Sequence, residues 1–186
     1  MANLLTSIRL LLIMPVAWAM AEREFLADWL LALCLVIAIV TDYYDGIVAR
    51  ARGTASARGQ IFDHTTDFLF VTSGLAGAAY AGILPWILPV LIVIAFSQYV
   101  LDSHFLYHLK SLRMSFLGRW NGVFYFGPLL LISLARLLPA SLGLYEPILS
   151  LASILGYALI VSTVLSIGDR AIAPLRQQPQ DQGKPQ

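Results

Sequence analysis

Four aspartates recur as two spaced pairs in the stretch TDYYDGIVARARGTASARGQIFDHTTDFLF, residues 41 to 70. Asp42 and Asp45 are three residues apart and Asp63 and Asp67 four, so on helices each pair shares a face. Four carboxylates gathered in a poorly hydrated place cannot all stay ionised unless positive charge cancels their repulsion, because like charges and desolvation both favour the protonated form. Divalent cations would cancel it. Ligation by oxygen without histidine or thiolate suits a hard ion, Mg2+ or Mn2+, which commonly shares its shell with substrate phosphates. Two such ions bridged by Asp42, Asp45, Asp63 and Asp67 would polarise a phosphoryl group and stabilise both attacking and leaving oxygens. The blander alternative has the aspartates facing water and paired with Arg50, Arg52 and Arg58. Two helically registered pairs interleaved with small residues favour the site, since ionisable groups in or beside membrane spans are costly and usually functional.

The elements that must position these groups are apolar helices. Of 186 residues 59% are hydrophobic and 12% charged, with mean hydropathy +0.76, far from the roughly 25% charged of a soluble domain. The chain reads as an all-α integral membrane protein. Six runs are long enough to cross a bilayer, at about 17 to 25 residues each: 4–21, 26–45, 61–82, 85–106, 119–138 and 146–167. Pro85, Pro139 and Pro147 fall at or near their ends, whereas Pro15, Pro89 and Pro128 lie inside spans and should bend them. Basic residues gather in alternate connections, as Arg50, Arg52 and Arg58, then Lys110, Arg113 and Arg119, then Arg170, Arg176 and Lys184. The opposite connections hold Arg23 and Arg136 alone. By the positive-inside rule both termini and the aspartates are cytoplasmic, with the site cavity opening to that side; a bacterial inner membrane fits.

Residues 1–170 form the membrane domain, and 171–186, ending RQQPQDQGKPQ, a polar tail expected to be disordered. Ala19-Met20-Ala21 also fits a signal-peptidase site, whose use would start the chain at Glu22; the first span is read here as retained. Cys34, the only cysteine, reads as a small buried hydrophobe.

The pattern D-x-x-D-G-x-x-A-R, eight residues, then G-x-x-x-D-x-x-x-D is complete as Asp42, Asp45, Gly46, Ala49, Arg50, Gly59, Asp63 and Asp67. It resembles the signature of the CDP-alcohol phosphatidyltransferases, integral membrane enzymes of phospholipid synthesis, and the six-span plan resembles theirs too. The resemblance implies that the four aspartates hold two divalent ions and that Asp67 is the general base for the acceptor hydroxyl. It implies also that Gly46, Ala49 and Gly59 make room for the cytidine nucleotide, with Arg50 facing the diphosphate. The phosphatidyl group of CDP-diacylglycerol would pass to an alcohol, releasing CMP. Family members resemble one another in being dimeric, so a homodimer among membrane lipids is expected, with no nucleic-acid partner.

Two segments point to different acceptors. NLLTSIRLLLIMP, with Asn3, Thr6 and Arg9, resembles the start of phosphatidylglycerophosphate synthases, which act on glycerol 3-phosphate. In that branch a proline commonly follows the third aspartate and a lysine the fourth, where this chain has His64 and Phe68. GQIFDHTTD is instead similar to aminoalcohol phosphotransferases, which use a CDP-aminoalcohol and diacylglycerol. Lys110, Arg113 and Arg119 could hold an acceptor phosphate, and they tip the reading to glycerol 3-phosphate; as topology determinants they would sit only at headgroup level.

His104 and His108, with Asp102 nearby, have metal-ligand spacing but read as interfacial polar residues. His64 points about 100° from Asp63 on an ideal helix and reads as a supporting residue. Gly74, Ala78 and Gly82 form a small-residue stripe permitting close helix approach, within one chain or across a dimer. Trp29, Trp86, Trp120 and Tyr145 read as an aromatic belt. The rival functional class is a cation-coupled transporter or channel, disfavoured because the carboxylates cluster at one membrane face and no inverted repeat is visible.

Overall fold

The computed structural model of the chain describes residues 2–51, 57–101 and 116–176, and these are helical with short turns and no strand. The helices are α1 (Ala2–Ala21), α2 (Asp28–Ala51), α3 (Ala57–Tyr80), α4 (Ile87–Leu101), α5 (Phe116–Phe124), α6 (Phe126–Leu137) and α7 (Tyr145–Arg176). Two stretches, Leu117–Leu137 and Tyr145–Ile172, are long and apolar enough to cross a membrane; Leu5–Ala21 and Ile87–Leu101 are shorter apolar helices. Large apolar side chains cover the outside, among them Ile154, Tyr157, Val161 and Leu165 along one stripe of α7. Such a surface suits lipid and is far too apolar for water.

Between lipid-facing helices burial gains little from the hydrophobic effect, so close packing must hold the bundle. The tightest approach is between α1 and α3, where a Cβ on Gly77 would collide with the carbonyl oxygen of Ala17. Only a residue without a side chain lets the two backbones meet there. The stripe expected on α3 therefore works within the chain: Ala78 is buried, and a Cβ on Gly74 would lie 3.1 Å from Leu129 of α6. Gly82 has another job. With φ of +76° it follows the last turn of α3, while its own N–H and that of Ile83 return to the carbonyls of Ala79 and Ala78.

Prolines act according to their place in the helix. Pro128 has no N–H for the carbonyl of Phe124, and its ring crowds that carbonyl, which accounts for the interruption at Tyr125 between α5 and α6. Pro89, expected to bend a span, instead sits in the first turn of α4, where its N–H would have had no helical partner. α7 also departs from expectation, continuing to Arg176 through the start of the predicted tail.

α1 packs mainly on α3 and α2, α7 on α6, α4 and α5, and α6 joins the two groups through α2 and α3. One buried core spans both groups, with Val16, Leu35, Phe70, Leu88, Leu129 and Ala152 all essentially inaccessible. Arg136, counted from sequence among the connection charges although the expected span 119–138 includes it, lies in the last turn of α6 and is only 6% exposed. Its Nη1 donates to Ala19 O at 2.6 Å and its Nη2 to Met20 O at 3.3 Å, satisfying carbonyls at the end of α1.

Candidate active site

The parallel pairing of α1 and α3 that lets Ala17 meet Gly77 also brings Arg9, two turns earlier, beside the start of α3. Asp63 and Asp67 stand one turn apart there, and Asp42 comes from α2. The two helices thus deliver their acidic side chains to one place. Arg9, with no exposed surface, joins them: its Nη1 lies 2.9 Å from Asp42 Oδ1, and its guanidinium also pairs with Asp63 and Asp67. Sequence reasoning named Arg9 only within a resemblance and assigned any neutralising side chains to Arg50, Arg52 and Arg58. The available signal was a cation in the interior of an apolar run, which demands a buried anionic partner.

Three carboxylates facing one guanidinium leave two formal negative charges over, so the cluster can accept further cations. Ligand atoms of Asp63, His64 and Asp67 lie within 4.8 Å of one another, a spacing one ion could span. His64 is thereby closer to the chemistry than its helical angle implied. The donor set fits a divalent ion with mainly oxygen ligands and room for one nitrogen.

Asp45, Gly46, Ala49 and Arg50 continue α2 beyond Asp42, but their side chains lie outside the described residues. Gly59 is in the first turn of α3. Arg52, Asp102, His104, His108, Lys110 and Arg113 lie outside the described residues as well.

The aspartates open into a cavity of about 550 Å³ between α2, α3, α4, α5, α6 and α7. Arg119 lines it, and so does Arg170, which sequence reasoning had counted only as a topology charge. Arg170 remains on helix because α7 runs past residue 167, and its guanidinium lies over the Tyr99 ring at 4.9 Å. Gln98 Nε2 donates to Ile167 O at 3.3 Å, tying α4 to α7. Its Oε1 and the Tyr99 hydroxyl are buried without a hydrogen-bond partner among the described residues. Deeper, Thr163 donates to Leu159 O at 2.6 Å, so Tyr125 is the donor in its 2.7 Å bond to the Thr163 hydroxyl. Ser162 donates to Asn121 Oδ1 at 2.6 Å. Phe68, immediately after the last aspartate, stacks on Phe96 with centroids 4.0 Å apart and forms an apolar part of the wall.

A bundle of apolar helices around a cavity lined by both carboxylates and guanidinium groups defines a class: membrane-integral helical proteins with an acidic internal site. Residues 1–167 match the CDP-alcohol phosphatidyltransferase family, and the chain belongs to it. That family is membrane-integral and generally dependent on divalent metal. Among curated proteins, the CDP-diacylglycerol–glycerol-3-phosphate 3-phosphatidyltransferase of Cereibacter sphaeroides is 32% identical over 125 residues, 64% of this chain and 56% of that protein. The cardiolipin synthase (CMP-forming) of Streptomyces coelicolor is 33% identical over 94 residues, 48% of this chain and 44% of that protein. The chain thus spans about half the length of these relatives. No solved structure matches it.

Proposed function

We propose that the chain transfers a phosphatidyl group from CDP-diacylglycerol to a small alcohol, releasing CMP, with glycerol 3-phosphate as the acceptor. The observation carrying this reading is the convergence of Asp42, Asp63 and Asp67 from two helices at a cavity that Arg119 and Arg170 also line. Asp42, Asp45, Asp63 and Asp67 would hold two Mg2+ or Mn2+ ions, with His64 within reach. When bound, the ions supply charge neutralisation for the diphosphate and the departing nucleotide. Asp67 takes the proton from the acceptor hydroxyl, whose oxygen attacks the lipid-bearing phosphorus as the bond to CMP breaks. Gly46, Ala49 and Gly59 leave space for cytidine, and Arg50 faces the diphosphate. Arg119 and Arg170 orient the acceptor phosphate, and Lys110 and Arg113 are assigned to the same phosphate on their sequence position alone. Positioning and electrostatics then supply most of the rate enhancement.

Residues 1–170 form a six-span membrane domain that functions as a homodimer among lipids, with cytoplasmic termini, a cytoplasm-facing cavity and residues 171–186 outside the bilayer. The grouping of basic residues in alternate connections supports that orientation.

A second reading draws on the Phe68–Phe96 stack, which puts an apolar surface where a glycerol-phosphate enzyme would carry lysine. It favours a lipid acceptor, diacylglycerol, with a CDP-aminoalcohol as donor. Purified protein with Mn2+ and either labelled CDP-diacylglycerol with a panel of alcohols including phosphatidylglycerol, or a labelled CDP-aminoalcohol with diacylglycerol, tests both. CMP release that requires glycerol 3-phosphate supports the first reading. Release from a CDP-aminoalcohol only, with diacylglycerol, supports the second, and no alcohol-dependent release from either donor returns the question to a transporter.

A further inference from the structure

Arg9 is the fully buried cation of the site, and it reaches the aspartates from a helix that carries none of them. We propose that Arg9 is a built-in counter-cation: a positioning residue that holds the α2 and α3 carboxylates together and competes with divalent metal for their oxygens. The inference rests on the proposed metal-binding role of the aspartates and adds to it a residue that sets metal affinity.

The geometry carries this in three steps. First, a guanidinium presents five donors in a planar fork, so one side chain can serve Asp42, Asp63 and Asp67 together, which a lysine ammonium on a flexible stem does poorly. Second, a buried guanidinium stripped of its anions is strongly destabilising, so Arg9 and the carboxylates stabilise one another before any ion binds. Third, the carboxylates of Asp63 and Asp67 take part both in the guanidinium contacts and in the group with metal-ligand spacing. An ion using them must share them with Arg9 or displace it. Arg9 thus links assembly of three helices to metal occupancy, weakening the metal in exchange for a preformed site.

The test uses the full chain in detergent, with Mn2+ binding followed by the electron paramagnetic resonance signal of the free ion and thermal unfolding measured in EDTA and in saturating Mn2+. Arg9→Gln should bind Mn2+ at least about tenfold more tightly than the original protein, because a competing charge a few ångströms from the ion is gone. It should unfold at a lower temperature in EDTA, with the deficit shrinking when Mn2+ is added. Arg9→Lys should fall between the two in affinity and carries the test if the glutamine variant does not fold. A merely structural arginine would lower stability without tightening metal binding. Unchanged or weaker Mn2+ affinity in the variants, with the original protein still binding the ion, overturns this inference alone. No binding by any of the proteins removes the metal site and the inference with it.

Discussion

Arg9 and Arg136 are both buried in the bundle, one near the first turns of α1 and the other against its last. Their partners differ in kind. Arg136 donates to backbone carbonyls of Ala19 and Met20, partial charges fixed by the helix, and supplies what the end of α1 otherwise lacks. Arg9 faces whole carboxylates, which are 25% to 45% exposed beside a cavity and carry more negative charge than it can cancel. Burial of a charge therefore does not by itself mark function. The excess of opposite charge and an adjoining space do, and they separate a helix cap from a ligand site.

The comparison can be tested from its strongest consequence down. Asp67→Asn should lower alcohol-dependent CMP release by about 10²- to 10⁴-fold, the usual contribution of a positioned base, while CDP-diacylglycerol still binds; wild-type turnover would remove Asp67 from its role. Arg136→Met should cost about 2 kcal/mol or more of stability through unpaired carbonyls, read by unfolding in detergent, yet leave Mn2+ affinity unchanged. A changed affinity would mean that the two arginines are not separate in function. Arg170→Ala should raise the acceptor Michaelis constant about tenfold with little effect on the donor's, and Arg119→Ala should act in the same direction. Equal effects on both substrates would place these cations outside an acceptor site. Tyr125→Phe, which removes the donor to Thr163, should cost about 1 kcal/mol and leave metal binding intact.

The aspartates were legible because helical spacing is local: three or four residues fix a shared face whatever the rest of the chain does. Spacing alone does not show that the two pairs converge; Asp42 meets Asp63 and Asp67 through Arg9. Arg9 escaped notice as a partner because it is 33 residues from Asp42 and 54 from Asp63, distances over which only the packing of α1 on α3 decides. That packing depends on Gly77, one position before the stripe residue singled out from sequence, because the stripe pattern does not say which face meets which neighbour. Arg136 and Arg170 were both read by their nearness to span ends. For Arg170 the expected span ended too early, since α7 runs on past it, whereas Arg136 already fell inside the expected span 119–138.

The most direct measurement is anomalous diffraction from crystals of the protein grown with Mn2+. Two peaks are expected, within ligand distance of aspartates from both α2 and α3. Peaks confined to the carboxylates of one helix, or none near Asp42, Asp63 and Asp67 at saturating metal, would contradict that expectation.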